Sequence, residues 1–337
     1  MITSALRAGA LLLTRSDIAA LMAPHDYLDA VDAGFRSCDS DQGTSPIPMH
    51  LPGLDGGFHA KGARVSLRGC DYVAVKLNAN FPGNSEKYGL PTIQGVVLLC
   101  DATHGSLLAI MDSIEITLRR TAAASALAAR YLAPRVVDSI AICGCGEQGR
   151  AHLDALFPML APRCALAWDR DSTKAQAFAL AAGKQLGSRV KAVTSIGDAT
   201  RASQVIVTAT TARQPILTTD LVRPGTFIAA VGADNPEKNE IAPALMASAT
   251  VVVDVLRQAE TMGDLHHAIR AGVLSSRDVH AELVEMVVGR KPGRTRDDQV
   301  TIFDSTGVAI EDVASAVWIY ERALRRSVGL TVSLAGP

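Results

Sequence analysis

From residue 139 onward the chain alternates short, continuously apolar runs with longer stretches whose apolar positions recur at helical spacing. The runs at 140–143, 165–168, 205–209, 226–231 and 251–255 predict strands. The stretches at 148–157, 173–186 and 243–247 predict helices between them. A run that is apolar at every position suits a strand covered on both faces rather than one. Strands of that kind alternating with helices make a doubly wound parallel sheet, an α/β fold of the Rossmann type. The pattern before residue 115 differs. Apolar runs at 11–14, 73–77 and 95–101 read as strands, with the Pro/Gly/Asn-rich stretch 80–84 between the last two. An alanine-rich helix follows at 116–132 and is ended by Pro134. An amphipathic helix at 310–327 packs back onto the first zone and makes that domain discontinuous. The expected domains are therefore 1–118 with 310–337, of α+β type, and 119–309, the Rossmann domain.

Length and charge narrow the partners. At 337 residues the chain is long enough for two domains with a sizeable core. Lys and Arg total 33 against 34 Asp and Glu, a net charge of −1, so no basic excess points to nucleic acid or to anionic lipid. The apolar stretch after Ala8 is interrupted by Arg15 and Asp17, too soon for a membrane span, and no cleavage site follows it. Cys38, Cys70, Cys100, Cys143, Cys145 and Cys164 show neither disulfide-framework nor metal-ligand spacing. They read as reduced, mostly buried thiols in a cytoplasmic protein without a metal site.

The sharpest motif is Gly144-Cys145-Gly146-Glu147-Gln148-Gly149, which follows the strand at 140–143 and opens the helix at 148–157. Three glycines at this spacing are weak evidence alone. Between a strand and a helix they form a dinucleotide-binding turn, one for the bend, one for phosphate approach and one for helix–strand packing. The helix N-terminus adds free N–H groups and partial positive charge. Asp169 stands twenty residues after Gly149 at the end of the next strand, where a carboxylate accepts from the ribose 2′-OH. That favours NAD(H). Arg170 beside it keeps NADP(H) as the alternative. The cofactor set is completed by Glu147 and Gln148 in the turn, by Thr208, Thr210 and Val231 at other strand ends, and by Gly307.

Ligands of open α/β sheets gather beyond the carboxyl ends of the strands. Asp234 follows the run 227–231 and is either a turn or cap residue or a group facing the nicotinamide. Lys76, inside the apolar run 73–77, is either an edge-strand solubiliser or a buried cation kept for an anion. Arg119 and Arg120 begin a helix of small side chains, and one of them points inward, where arginine suits a carboxylate. The segment 262–267 is read as a solvated loop rather than as a cleft lining.

Several stretches together resemble the ornithine cyclodeaminase/mu-crystallin family. They are the run from Lys76 to Asn84, that from Gly89 to Gly95, that from Ala109 to Asp112, and Arg120 with the small residues after it. The glycine turn, the stretch from Gly232 to Glu240 and that from Phe303 to Asp312 complete the set, in family order. The resemblance implies hydride exchange between a nicotinamide and the α-carbon of a small amino or imino acid. It also implies a homodimer built through the first domain, which holds the substrate. It assigns Lys76 and Arg120 to the substrate α-carboxylate, with Lys76 also near the chemistry, and Asp234 to proton transfer. Two departures weigh against a true cyclodeaminase. The family's extra arginine has no counterpart near Ser45-Pro46-Ile47-Pro48-Met49-His50, and His59 stands where a glutamate is expected. His50, Lys61 or Arg64 is expected to replace the missing cation. The leading reading is an imine reductase or amino-acid dehydrogenase. The alternatives are an ornithine cyclodeaminase, and a small-ligand binding protein that uses NAD(P)H.

Overall fold

In a computed structural model the described residues are 9–38, 48–187 and 189–334; Ser45, Pro46 and Ile47 lie outside them. The chain divides into two units, Met1–Arg120 with Val308–Pro337, and Thr121–Gly307. The helix Ser113–Leu132 is shared, passing from one unit to the other after Arg120.

The first unit is built on a seven-stranded sheet. Its order is Leu330–Val332, Ala10–Leu13, Leu107–Asp112, Ile93–Asp101, Cys70–Asn80, Gly57–Leu67, Met49–Pro52. Only Ala10–Leu13 and Leu107–Asp112 pair in parallel. One face of the sheet is covered by Ala309–Arg326, which in turn meets Pro24–Ser37. These two helices approach closely because Gly34 carries no Cβ, which would stand 2.8 Å from that of Ala314. The first strand ends one residue earlier than the apolar run suggests. Thr14 instead caps Arg15–Leu21, accepting from the Asp17 N–H in a capping box.

The second unit carries an eight-stranded sheet in which every pair is parallel. Its order is Ala281–Glu282, Thr250–Val253, Thr301–Asp304, Phe227–Ala230, Val205–Thr208, Ser139–Cys143, Cys164–Trp168, Val190–Ala192. The five central strands from Thr250–Val253 to Ser139–Cys143 are buried along almost their whole length, which is why four of them read as short apolar runs; Thr301–Asp304, which ends on the buried Asp304, does not. Succession reverses direction between Ser139–Cys143 and Val205–Thr208, the switch point at which doubly wound sheets bind ligands. The fold is α/β, a Rossmann-type sheet with a discontinuous α+β unit. No helix among the described residues is long and apolar enough to cross a membrane.

One element reverses its expectation. Residues 262–267 are not a solvated loop: Gly263–Arg270 is a helix, with Gly263, Asp264 and Leu265 buried. Its first turn is capped by the distant Asp304 carboxylate, which accepts from the N–H groups of Asp264 (3.2 Å) and Leu265 (2.8 Å). A cap supplied by a residue forty positions away leaves no local trace in the sequence.

Candidate functional site

In the second unit, Gly144, Gly146 and Gly149 each meet a different constraint. Gly144 adopts φ +107°, and a Cβ there would stand 2.4 Å from the Ala209 carbonyl oxygen. A Cβ on Gly149 would fall 2.1 Å from the Gly144 carbonyl oxygen, so the helix starts directly against the turn. A Cβ on Gly146 would meet nothing within 4 Å. Gly146 thus faces open space of the kind a pyrophosphate needs for close approach to backbone amides. It is also the N-cap of Glu147–Leu160 and supplies no side-chain cap, so the first-turn N–H groups are available to an anion. Glu147 is exposed and Gln148 half-buried, its Oε1 without a hydrogen-bond partner among the described residues. Asp169 reaches back to the turn, its Oδ2 accepting from the Cys145 N–H at 2.9 Å. The ribose-type carboxylate and the phosphate-type turn are therefore one assembly, and these residues fit a dinucleotide. Arg170 is exposed.

The strand-end segments of the same unit are held by buried carboxyls that carry no assignment in the sequence reading. Glu240 accepts from the N–H and Oγ1–H of Thr210, both at 2.6 Å, and from the Gly232 N–H at 2.8 Å. It bridges the turn after Val205–Thr208 to the segment carrying Asp234. Thr208 and Val231 are buried beside these turns. Asp254 accepts from the N–H groups of Thr306 (2.7 Å) and Gly307 (2.6 Å). Asp264 Oδ1 accepts from the N–H groups of Glu240 and Ile241, whereas its Oδ2 finds no donor among the described residues. Asp234 itself is 59% exposed and ion-paired to Lys238 at 2.7 Å.

Asp264 and Asp304 are fully buried and lie close enough to act on each other. Burial raises both, and their mutual repulsion keeps Asp264 well above the carboxylate range, while Asp304 is pushed up to about 7. A carboxyl whose folded-state pKa is raised contributes stability at low pH that is lost as pH rises through about 7. Asp264→Asn keeps the acceptor at Oδ1 and puts an N–H donor at the orphaned Oδ2. The variant should match the parent at pH 5 and exceed it at pH 8.5, because the amide that replaces the buried carboxyl cannot ionise. Thermal melts at the two pH values decide it; an equal or lower midpoint at pH 8.5 contradicts the account.

In the first unit, Lys76 is a buried cation, not an edge solubiliser. Its strand lies in the interior of the sheet and its side chain is 5% exposed. Lys76 Nζ stands 2.8 Å from Asp312 Oδ2 and 3.2 Å from Thr117 Oγ1. Arg120, rather than the partly exposed Arg119, is the inward arginine. Its Nε donates to Asp312 Oδ1 (2.9 Å) and its Nη1 to Glu311 Oε2 (2.6 Å). Two cations and two carboxylates thus form a buried quartet. Burial, with Arg120 and Lys61 nearby, brings Lys76 down to about 7, against the pull of Asp312. Arg120 and Lys76 hold Asp312 below the usual carboxylate range in spite of its burial.

Strand register sorts the remaining candidates. Lys61 pairs with Lys76, His59 with Asn78, and His50 with His59, so all share the face of the quartet. Arg64 has the opposite parity and lies on the other face, which removes it as a replacement cation beside Lys76. The residues missing from the sequence reading are Glu311, Asp312, Glu240, Asp254, Asp264 and Asp304. All but Asp254 and Asp264 sit inside motifs already singled out, but a carboxylate's partners lie elsewhere in the chain.

Known proteins resemble the chain over almost its whole length. The model of the ornithine cyclodeaminase/mu-crystallin family matches residues 9–327. An alanine dehydrogenase of Archaeoglobus fulgidus is 35% identical over 324 residues, 95% of this chain and 97% of that protein. The structure of the Thermococcus litoralis Δ1-pyrroline-2-carboxylate reductase in complex with NADH and L-proline superposes with a TM-score of 0.91. It has 32% identity and covers 96% of this chain and 100% of its own. The iminosuccinate reductase of Paracoccus denitrificans, in complex with NAD+, gives 0.90 at 30% identity over 97% and 100% of the two chains. This chain belongs to the ornithine cyclodeaminase/mu-crystallin family.

Proposed function

We propose that the protein is an NAD(H)-dependent oxidoreductase acting at C2 of a small amino or imino acid, as an imine reductase or amino-acid dehydrogenase. The observation that carries this reading is the buried quartet. Two cations and two carboxylates inside a unit stabilise folding little, because removing them from water costs about what their attraction returns. Their value lies in chemistry, since perturbed groups of this kind collect where substrate is held.

The cofactor is NAD(H), which when bound supplies or accepts the hydride at the substrate's α-carbon. Asp169 at the glycine turn is the group that would read the ribose and disfavour a 2′-phosphate; Thr210 would stand further along its path, and the buried Thr208, Val231 and Gly307 would shape the strand ends behind it. Arg120 and Lys76 hold the α-carboxylate, Arg120 through its planar donor fork and Lys76 as a point charge. With its pKa at about 7, Lys76 is also able to exchange a proton near neutrality. Asp234 transfers the proton at the α-nitrogen. In the reducing direction imine, NADH and one proton give amine and NAD+.

By the family resemblance, His59 stands where a cyclodeaminase would carry a glutamate to activate water. The expected result with L-ornithine and substoichiometric NAD+ is therefore no proline or ammonia beyond the NAD+ supplied. NADH should instead be consumed with cyclic imines, or with 2-oxo acids and ammonium. Many turnovers per NAD+ on ornithine would make the enzyme a cyclodeaminase.

The outer face of the first unit's sheet supports a homodimer. Val75, Leu77, Val96 and Leu98 share that face and are each more than a third exposed, with Leu12 beside them. A contiguous apolar sheet face of this extent suits a second copy of the same surface. All six cysteines are free, which suits a cytoplasmic protein.

A further inference from the structure

The polar strip beside the quartet bears on which acids the site accepts. Within the quartet the charges of Lys76 and Arg120 are balanced by those of Glu311 and Asp312. Taken alone it offers an entering anion no net charge. Lys61, paired across the sheet with Lys76, adds one positive charge and is close enough to act on both Lys76 and Asp312. That balances a single carboxylate. The strip does not end there. His59 is two residues from Lys61 on the same strand, hence on the same face about 6.8 Å further along. His50 lies opposite it, with ring centroids 4.5 Å apart. Asn78, the cross-strand partner of His59, accepts from Ser113 Oγ at 2.6 Å. Asp55, in the turn joining the two histidine strands, is already neutralised by Lys87 at 2.9 Å.

We propose that this strip binds a second carboxylate, so that the substrates are dicarboxylic imino or 2-oxo acids of four or five carbons. The α-carboxylate lies at Arg120 and Lys76, and the distal carboxylate at His59 and His50, with Lys61 between. This rests on the function proposed above. The carboxyl carbons of an extended diacid of that length lie about 4–5 Å apart, and a hydrogen bond at each end covers the rest of one same-face strand step, so a single substrate reaches from the quartet to the histidine pair. Two imidazoles supply N–H donors, and donors aimed at a carboxylate make stronger bonds than neutral pairs do.

The test compares kcat/KM for oxaloacetate and 2-oxoglutarate with that for pyruvate and Δ1-pyrroline-2-carboxylate, following NADH loss with ammonium where needed. The parent should favour the diacids by at least tenfold. His59→Ala and His50→Ala should each lower the diacid-to-monoacid ratio about tenfold, mainly through KM. Both side chains are exposed, so melting midpoints should stay within about 2 °C. Calorimetry on the NADH-loaded enzyme, with succinate against acetate, gives a readout without turnover and should show the same preference. Turnover of monoacids with no preference for diacids, or variants that leave the ratio alone, overturns the proposal while the oxidoreductase reading stands. No NADH loss with any of the acids overturns that reading and this proposal with it.

Discussion

Replacing Asp312 by alanine should lower the melting temperature by about 10 °C and leave too little turnover to measure at neutral pH. Asp312 touches both cations of the quartet, Lys76 Nζ at 2.8 Å and Arg120 Nε at 2.9 Å. Removing one partner of a buried ion pair strands the other charge, at a cost of ~3–5 kcal/mol. In a protein of this size each kcal/mol moves the midpoint by about 2–4 °C. Glu311 still compensates Arg120, so the larger loss falls on Lys76. Burial and Arg120 already lower Lys76 to about 7, and Asp312 is the main group opposing them. Without it the ammonium gives up its proton at a lower pH. For a lysine whose folded-state pKa is depressed, the unfolded chain binds more protons between that pKa and 10.5. Stability therefore rises with pH across that window. In Asp312→Asn, which keeps an acceptor for Arg120, the window should widen at its acidic end. The limb of the kcat/KM profile near pH 7 should move with it to lower pH. An unchanged melt together with an unmoved profile would remove Asp312 from this role.

What could be read along the chain was local. The parallel sheet was legible because strands covered on both faces are apolar at nearly every position, as 140–143 and 205–207 are. The glycine turn was legible because Gly144 and Gly149 answer to steric limits within one strand, turn and helix, while Gly146 leaves space for an anion. The first unit's sheet was read only in part. Gly57–Leu67 alternates His59, Lys61, Ala63 and Val65 on one face, and its polar half hides the apolar period. Gly263–Arg270 was missed because its cap is Asp304, contributed by another strand. The same limit governs the site. Lys76 and Arg120 stand out in the sequence as charges in apolar or small-residue surroundings, whereas Asp312 looks like any acid in the first turn of a helix. Only the fold shows that Asp312 sits between them.

Asp234→Asn should lower kcat by about 10²–10⁴-fold, the contribution expected of a positioned proton-transfer group, and leave the affinity for NADH within about twofold. The separation is expected because Asp234 takes no part in the core. Its side chain is 59% exposed and ion-paired to Lys238, four residues on. The segment it rides on is fixed by other groups. The Gly232 N–H is held by Glu240, and the Glu240 N–H by Asp264, so the backbone stays in place when the Asp234 carboxylate becomes an amide. Asparagine retains an acceptor for Lys238 and the same shape but has no carboxylate to take up or hand on a proton. A melting midpoint within about 1–2 °C of the parent, an NADH titration by fluorescence and a single-turnover measurement together separate folding, cofactor binding and chemistry. Activity within tenfold of the parent would move the proton-transfer role away from Asp234. Lys76, at about 7 in its buried quartet, is then the group left in the right range to carry it.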